Sequence, residues 1–389
     1  MNDLPIAGTA APVRPLARAK AIGTLISGEA LAAERLTRLT DKVAAALLDA
    51  NLFSILVPAA DGGCGGSRTE LFETAEEIAR ADGSAGWCVA LCNGINASVH
   101  AGASARARRE VFGDGPVACW GSLLPRAKSL EANGGFRVSG NFGWGSGSSL
   151  ARWVVVPAPI EPRDGQQWFR GHLLPRADVE IKEGSWDAMG LRATASIDYT
   201  IVDKFVPAER TFEYPYLPTA NPREISARGV IGLTQIGITA FASGVALRAL
   251  AELVAAAPNI KRSAAEGSPA DDNFVQFGIG EAEGRLKAAR AYYLDCLAAQ
   301  DRAIAEGHAP EASRTLDIMQ AALTLTRAAR DATVFAFDNA GTTAILAGNP
   351  LQRCLRDIFA GLKHASLTPA ILGRIGKVRL GRDYGPLSF

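Results

Sequence analysis

The residue pattern of this chain changes twice along its length, and that order limits the fold more than any single motif does. From about Ala19 to Gly113, apolar residues recur at i, i+3 and i+4, as in ISGEALAAERLTRLTDKVAAALLDANLF, which predicts helices. A Gly-rich loop, PAADGGCGGS, and an Asp82-Gly83-Ser84 helix start interrupt them. From about Pro116 to Tyr216 the pattern turns to short alternating or β-branched runs split by Gly, Pro and Asp, with five of the six tryptophans. From about Ile225 onward helices return and are longer. Ser226–Ala257, Asn273–Gly307, Glu311–Ala340 and Pro350–Lys377 are the four candidates, enough for a four-helix bundle. Helices, then strands, then helices is an α+β order. It argues against a doubly wound nucleotide fold, which alternates strand and helix. The expected division is a flexible tail at 1–18, an N-terminal helical domain at 19–115, a middle β-barrel or sandwich at 116–216 and the bundle at 225–389.

Composition excludes several classes. The formal net charge is +1, so neither nucleic acid nor a membrane surface is expected as a main partner. The six cysteines form no CxxC pair and the four histidines are dispersed, so neither a disulfide framework nor a metal site is expected. Free thiols and an N-terminus without a charged start and long apolar core point to the cytoplasm. Gly229 to Leu247 is uncharged but diluted by Gly, Thr, Gln and Ser, which suits a helix buried inside a bundle.

Familiar chemical motifs are missing: no GxGxxG after a strand, no P-loop, no GxSxG, no HExxH. GWGSGSS, Gly143 to Ser149, is the densest Gly/Ser stretch. Such a run lets backbone approach a planar ligand, and it is equally what a tight hairpin or bulge needs. PLQRCLRDIF sets Arg353, Arg356 and Asp357 on one helix, as a surface charge cluster or a buried Arg–Asp pair. RDIFAGLKHASLT carries His364 among apolar residues at helical spacing, where a lone imidazole is most often a satisfied core residue.

Taken together, ARADGSAGW, GGFRVSGNFGWGSG, SWDAMGLRATAS followed by DKFVPAER, and PLQRCLRDIFAGLKHASLTP resemble, in order, blocks of the acyl-CoA dehydrogenase superfamily. Within it they resemble the flavin-dependent monooxygenases, the oxygenase components of two-component systems, from about Leu25 to Gly381. That resemblance implies the three-part fold above, assembled as a homotetramer. It implies reduced FMN or FAD, delivered by a separate flavin reductase and held between the β domain and the bundle, where it reacts with O2 to a C4a-hydroperoxide that oxygenates a small-molecule substrate. By position, Ser146 and Trp144 of WGSG fall beside the flavin ring, and Trp120, Gly121 and Ser122 wall it. Arg262, or else Gln276, matches the flavin-phosphate ligand, and Gly341, Thr342 and Thr343 match a segment that reaches a neighbouring subunit's flavin.

The resemblance also gives His364 a role. In acyl-CoA dehydrogenases a common position of the catalytic Glu lies where this chain reads LKHASLT. An imidazole there suits oxygenation better than removal of a thioester α-proton. His364 and Ser146 are the expected catalytic residues. Relatives that hydroxylate phenols often carry another His where this chain reads GINAS, with His100 a turn further on. Asn93 or Asn96 could hold a neutral polar substrate instead, beside Trp120 and His364. The family's Gly-x-Gly-Ser run is altered to Arg192-Ala-Thr-Ala-Ser196. A flavin dehydrogenase or desaturase remains the alternative, with Glu252 or Asp357 as its base.

Overall fold

The computed structural model describes residues 14–122, 125–163, 166–215, 229–261, 267–308 and 312–382. Five helices come first: α1 (Pro15–Leu36), α2 (Asp41–Asp49), α3 (Arg68–Ala81), α4 (Gly83–Gly102) and α5 (Ala105–Phe112). Helix α1 has proline in its first turn, where a missing N–H costs nothing, so it starts inside the stretch read as a tail. Residues 1–13 of that stretch lie outside the described residues. Short polar side chains close the other N-termini: Thr40 for α2, Ser67 with Glu70 for α3, Asp82 for α4 and Ser104 for α5.

Eight strands follow: β1 (Cys119–Gly121), β2 (Lys128–Ala132), β3 (Gly135–Gly145), β4 (Trp153–Arg163), β5 (Gln166–Pro175), β6 (Glu180–Lys182), β7 (Ile197–Pro207) and β8 (Thr211–Pro215). They form two four-stranded sheets, ordered β1-β4-β5-β8 and β2-β3-β7-β6. Among the described residues, only the β1–β4 pairing is parallel. The β3–β7 register shifts between Phe142 and Gly145, an irregularity in the ladder just before Ser146, after which Gly145 pairs with Ile197.

The remaining helices are α6 (Gly229–Ala256), α7 (Asn273–Ala305), α8 (Ala312–Asp338), α9 (Pro350–Gly361) and α10 (Ala370–Arg379). The expected single helix Pro350–Lys377 is therefore broken. Pro369 disfavours α conformation in the residue before it, and Thr368 is extended (φ −64°, ψ 130°). A short 3₁₀ turn, Ala365–Leu367, fills the gap, and His364 caps it instead of lying on a helix face.

Helix α6 is long and apolar enough to cross a bilayer, but 67% of its most apolar window is buried. It packs on α3, α4, α8 and α9. Small residues permit the approach. A Cβ added at Gly237 would sit 2.4 Å from the Ala90 Cβ of α4. One hydrophobic core runs from α1–α4 through the sheets into the bundle, including Leu47, Phe72, Trp120, Val154, Phe241 and Ile358. This continuity seats α4, the end of β3 and the α9–α10 break against one another.

Candidate functional site

The site starts at the head of α4. Asp82 accepts from the Ala85 amide at 2.9 Å and fixes the first turn. Trp87 follows at the start of the next turn, and its indole Nε1 donates to Ser146 Oγ at 3.1 Å. The Trp87 ring meets Phe241 of α6 edge-on at 5.3 Å and lies 6.1 Å from the His364 imidazole. Trp87 therefore stands between the two residues expected to be catalytic. The sequence reading quoted it within ARADGSAGW but assigned it no role.

Ser146 leads into a chain of hydroxyls. Its Oγ lies 2.7 Å from Ser196 Oγ, which lies 2.6 Å from Thr194 Oγ1. Thr194 Oγ1 donates to the Leu191 carbonyl at 2.8 Å, and Trp186 Nε1 donates to the same carbonyl at 2.9 Å. The irregular run Arg192-Ala-Thr-Ala-Ser196 is pinned to the Ser146 turn by its main chain as well. Gly147 N donates to Thr194 O and Ser148 Oγ to Ala195 O, both at 2.8 Å. Of the non-glycine residues with positive φ among those described, Trp144 (63°), Leu191 (54°) and Ala195 (47°) all lie here. Left-handed backbone costs free energy and persists only where its surroundings hold it, and such strain collects at functional sites.

The Leu191 amide donates to Asp357 Oδ1 of α9 at 2.6 Å. Gly190 permits that approach, since a Cβ there would fall 2.2 Å from the Arg356 carbonyl oxygen. Asp357 is buried together with Asp82, and Arg353 Nε stands 3.7 Å from Asp82 Oδ2. Burial, reinforced by Asp82, pushes the Asp357 carboxyl up to about 7, against the Leu191 N–H, Arg353 and Arg356. Burial also raises Asp82. The Arg–Asp group is thus a buried network, not a surface cluster. It links α9 to the cap of α4 and to the 191–196 run.

His364 is oriented locally. The Ser366 amide and hydroxyl both approach its Nδ1, at 3.2 and 2.9 Å. A ring nitrogen that receives an N–H carries no proton, so the neutral ring holds its hydrogen on Nε2. Burial lowers the pKa, which keeps the ring neutral. Among the described residues Nε2 has no partner and is the free donor of the site.

The other predicted residues separate from this centre. Trp120 is fully buried, its ring 4.5 Å from Tyr199, and a Cβ on Gly145 would strike it at 2.2 Å. Its ring fills the space between strands, so the expected substrate contact is corrected. Gly121 is pressed against Val155, where a Cβ would sit 2.0 Å from the carbonyl oxygen. Ser122 lines a small cavity with Ile95, Ser98, Val155, Pro157, Phe212 and Tyr214. Asn93 and Asn96 are corrected too. Asn93 accepts from the Ile55 amide and donates to the Leu52 and Val89 carbonyls. Asn96 accepts from the Cys119 amide and donates to Phe53, Ser54 and Val117. Both amides are consumed tying loops to α4, leaving nothing for a substrate. His100 pairs with Asp61 at 2.8 Å. Trp144 is 69% exposed, its ring 5.6 Å from Trp186.

At the far end of the bundle, Gln276 is exposed and donates to Ala270 O at 2.8 Å. Gly341, Thr342 and Thr343 are exposed in and beside a 3₁₀ turn, with Ile260 next to Gly341. Arg262 lies outside the described residues. Among the described residues, Gln276, Gly341, Thr342 and Thr343 share no hydrogen bond with Ser146, Trp87 or His364.

The arrangement suits a flat, polar-edged group. Ser146 offers an oxygen, His364 a free N–H and the Trp144–Gly147 turn its backbone. The chain holds one family domain by direct match: residues 236–369 fit the acyl-CoA dehydrogenase C-terminal domain. It is 29% identical over 354 residues to the flavin-dependent monooxygenase oxygenase subunit HsaA of Mycobacterium tuberculosis, covering 88% of this chain and 89% of that one. It is 28% identical over 388 residues to indole-3-acetate monooxygenase of Pseudomonas putida, covering 96% and 97%. The structure of XiaF from Streptomyces, in complex with FADH2 and glycerol, superposes with a TM-score of 0.87 at 22% identity, over 96% of this chain and 97% of that one. That last likeness is one of fold, acyl-CoA dehydrogenase-like, with mixed helices and sheets.

Proposed function

We infer that this chain, a member of the acyl-CoA dehydrogenase superfamily of the flavin-dependent monooxygenase kind, is the oxygenase component of a two-component system. Its substrate is a small aromatic or indole-type molecule, and its co-substrate is O2. The observation that carries this reading is the Trp87–Ser146–His364 centre, in which Trp87 bonds the Ser146 oxygen and lies 6.1 Å from the neutral His364 imidazole. Reduced flavin, when bound, supplies the electrons that let one atom of O2 enter the substrate and the other leave as water. Ser146 would hold an edge of the ring, with Trp144 and Gly147 giving it backbone and an open aromatic wall. His364 Nε2 would donate to the oxygen atoms or to the substrate. The Trp87–Phe241 packing keeps bulk water from the inner side of the site.

The dehydrogenase alternative requires a free carboxylate base. Asp357 receives the Leu191 amide, and Glu252 is paired with Arg248 at 2.5 Å, so neither is available. Finer features join the proposal. FMN or FAD serves, delivered by a separate reductase. A homotetramer fits the exposed Phe274, Phe277, Ile345 and Leu346 near the Gln276 and Gly341 end, since such side chains are costly to leave in water. Six cysteines that form no disulfide fit a cytoplasmic place. The test is anaerobic mixing of the protein, reduced FMN or FAD and an indole or phenol with ¹⁸O2, followed by mass spectrometry. One labelled oxygen in the product is expected. Unlabelled product, or two-electron oxidation of an acyl thioester instead, would refute the reading.

A further inference from the structure

Every proton in the hydroxyl chain at Ser146 has a determined direction. The Leu191 carbonyl can only accept, so the hydrogen between it and Thr194 belongs to Thr194. Thr194, having spent its one hydrogen, must accept from Ser196. Ser196 has then spent its hydrogen and must accept from Ser146. Ser146 in turn accepts from Trp87 Nε1, because an indole nitrogen only donates. One lone pair remains on Ser146 Oγ, and no hydrogen. We propose that Thr194 and Ser196 are positioning residues that make Ser146 a hydrogen-bond acceptor only, so that the site selects a flavin by its redox state.

The selection follows from the chemistry of the ring. In oxidised flavin N5 is an acceptor with no hydrogen; in reduced flavin N5 carries one and donates. The family resemblance sets the Ser146 turn beside the flavin ring, and an acceptor-only hydroxyl opposite N5 would meet a lone pair in the first case and an N–H in the second. Leaving two acceptors opposed in a dry site costs a hydrogen bond's worth of affinity or more. The residue keeps 8% of its surface open and its neighbours are buried, so water screens the mismatch poorly. Leu191 anchors the chain rigidly, since its amide is held by Asp357 and its carbonyl also takes Trp186 Nε1. Within that run Ser196 stands where the family's Gly-x-Gly-Ser pattern has its Ser and Thr194 fills the x position, while Ala193 and Ala195 replace the glycines.

This inference rests on the flavin reading above, and its test separates the two. Affinities of the intact protein for oxidised and for anaerobically reduced FMN and FAD are measured by fluorescence titration, alongside a melting curve for each variant. The wild type is expected to favour reduced flavin. Ser196→Ala frees the Ser146 hydroxyl to turn and donate, so the preference should fall by roughly tenfold, mainly through tighter binding of oxidised flavin. Thr194→Val lets Ser196 turn and should act in the same direction. Thr194→Ser keeps the hydroxyl and should restore the wild-type ratio. A purely structural role would weaken both redox states together, and that result overturns the proposal. So does a wild-type ratio kept in both Ser196→Ala and Thr194→Val. A wild type that binds both forms equally overturns the proposal alone, and one that binds neither form overturns the flavin reading with it.

Discussion

The Ser146 centre and the Gln276–Gly341 end of the bundle were both marked by sequence resemblance, yet they are built in opposite ways. At the centre, side chains from α4, the end of β3, the 191–196 run and α9 are buried and mutually bonded. At the bundle end, Phe274 and Phe277 are each 71% exposed, and Gln276, Thr342 and Thr343 face outward. A site of the first kind is held in place by contacts within one chain and pays for its order in strain and buried charge. A surface of the second kind gains its contacts only when something covers it.

The contrast can be broken most forcefully at Trp87. Trp87→Ala should lower stability by about 3–5 kcal/mol, as truncating a buried Trp leaves a cavity, measured by denaturant unfolding. Trp87→Phe, which keeps most of the volume but loses the N–H, should cost about 1 kcal/mol. His364→Ala should cut coupled product formation roughly a hundredfold with little change in melting temperature, as for loss of one positioned donor. Its folded pKa is lowered from 6.5, so the neutral donor persists below that pH. The wild-type rate should therefore hold its plateau below pH 6.5 and fall only on further acidification. A rate that already halves at 6.5 would contradict the buried ring.

Asp357 gives the next effect, and its sign is opposite. Its folded pKa is raised to about 7, above the value near 4 of an unfolded Asp. The stability it contributes is full at low pH and declines as pH rises through that window, because the unfolded chain ionises first. Asp82, also raised, adds to the slope, while Arg353 and Arg356 temper it. Asp357→Asn keeps an acceptor for the Leu191 amide and should flatten that part of the stability profile between about pH 4 and 7. At the bundle end, Phe277→Glu should change stability of the single chain by less than about 0.5 kcal/mol, as for other exposed positions. It should nevertheless shift assembly to smaller species in sedimentation. An unchanged assembly would remove this surface from the oligomer.

Much of the fold was legible because it rests on local patterns. Helical periodicity, capping residues and β-branched runs act over a few residues, and they mark α1 to α4, β3 to β7 and the long α6, α7 and α8. The limits appear where a local rule met a distant one. The apolar spacing of RDIFAGLKHASLT favours a helix through His364, but Pro369 and the Ser366 contact to the imidazole end it. Asn93 and Asn96 read as polar residues free on a helix, until the 52–56 loop and β1 claim every amide atom. Ser146 and His364 were identified by resemblance to family blocks. That Trp87 joins them required the fold.

By itself, then, the sequence determined the succession of helices, strands and helices, the Gly/Ser turn and the lone imidazole near the C-terminus, since each depends on neighbouring residues. Only the tertiary structure decided which way the protons run from Trp87 through Ser146, Ser196 and Thr194 to Leu191, and that Asp357 holds that end in place. The physical reason is that a hydroxyl's direction is set by its partner's capacity to give or accept, and three of these partners lie 50 to 166 residues apart along the chain.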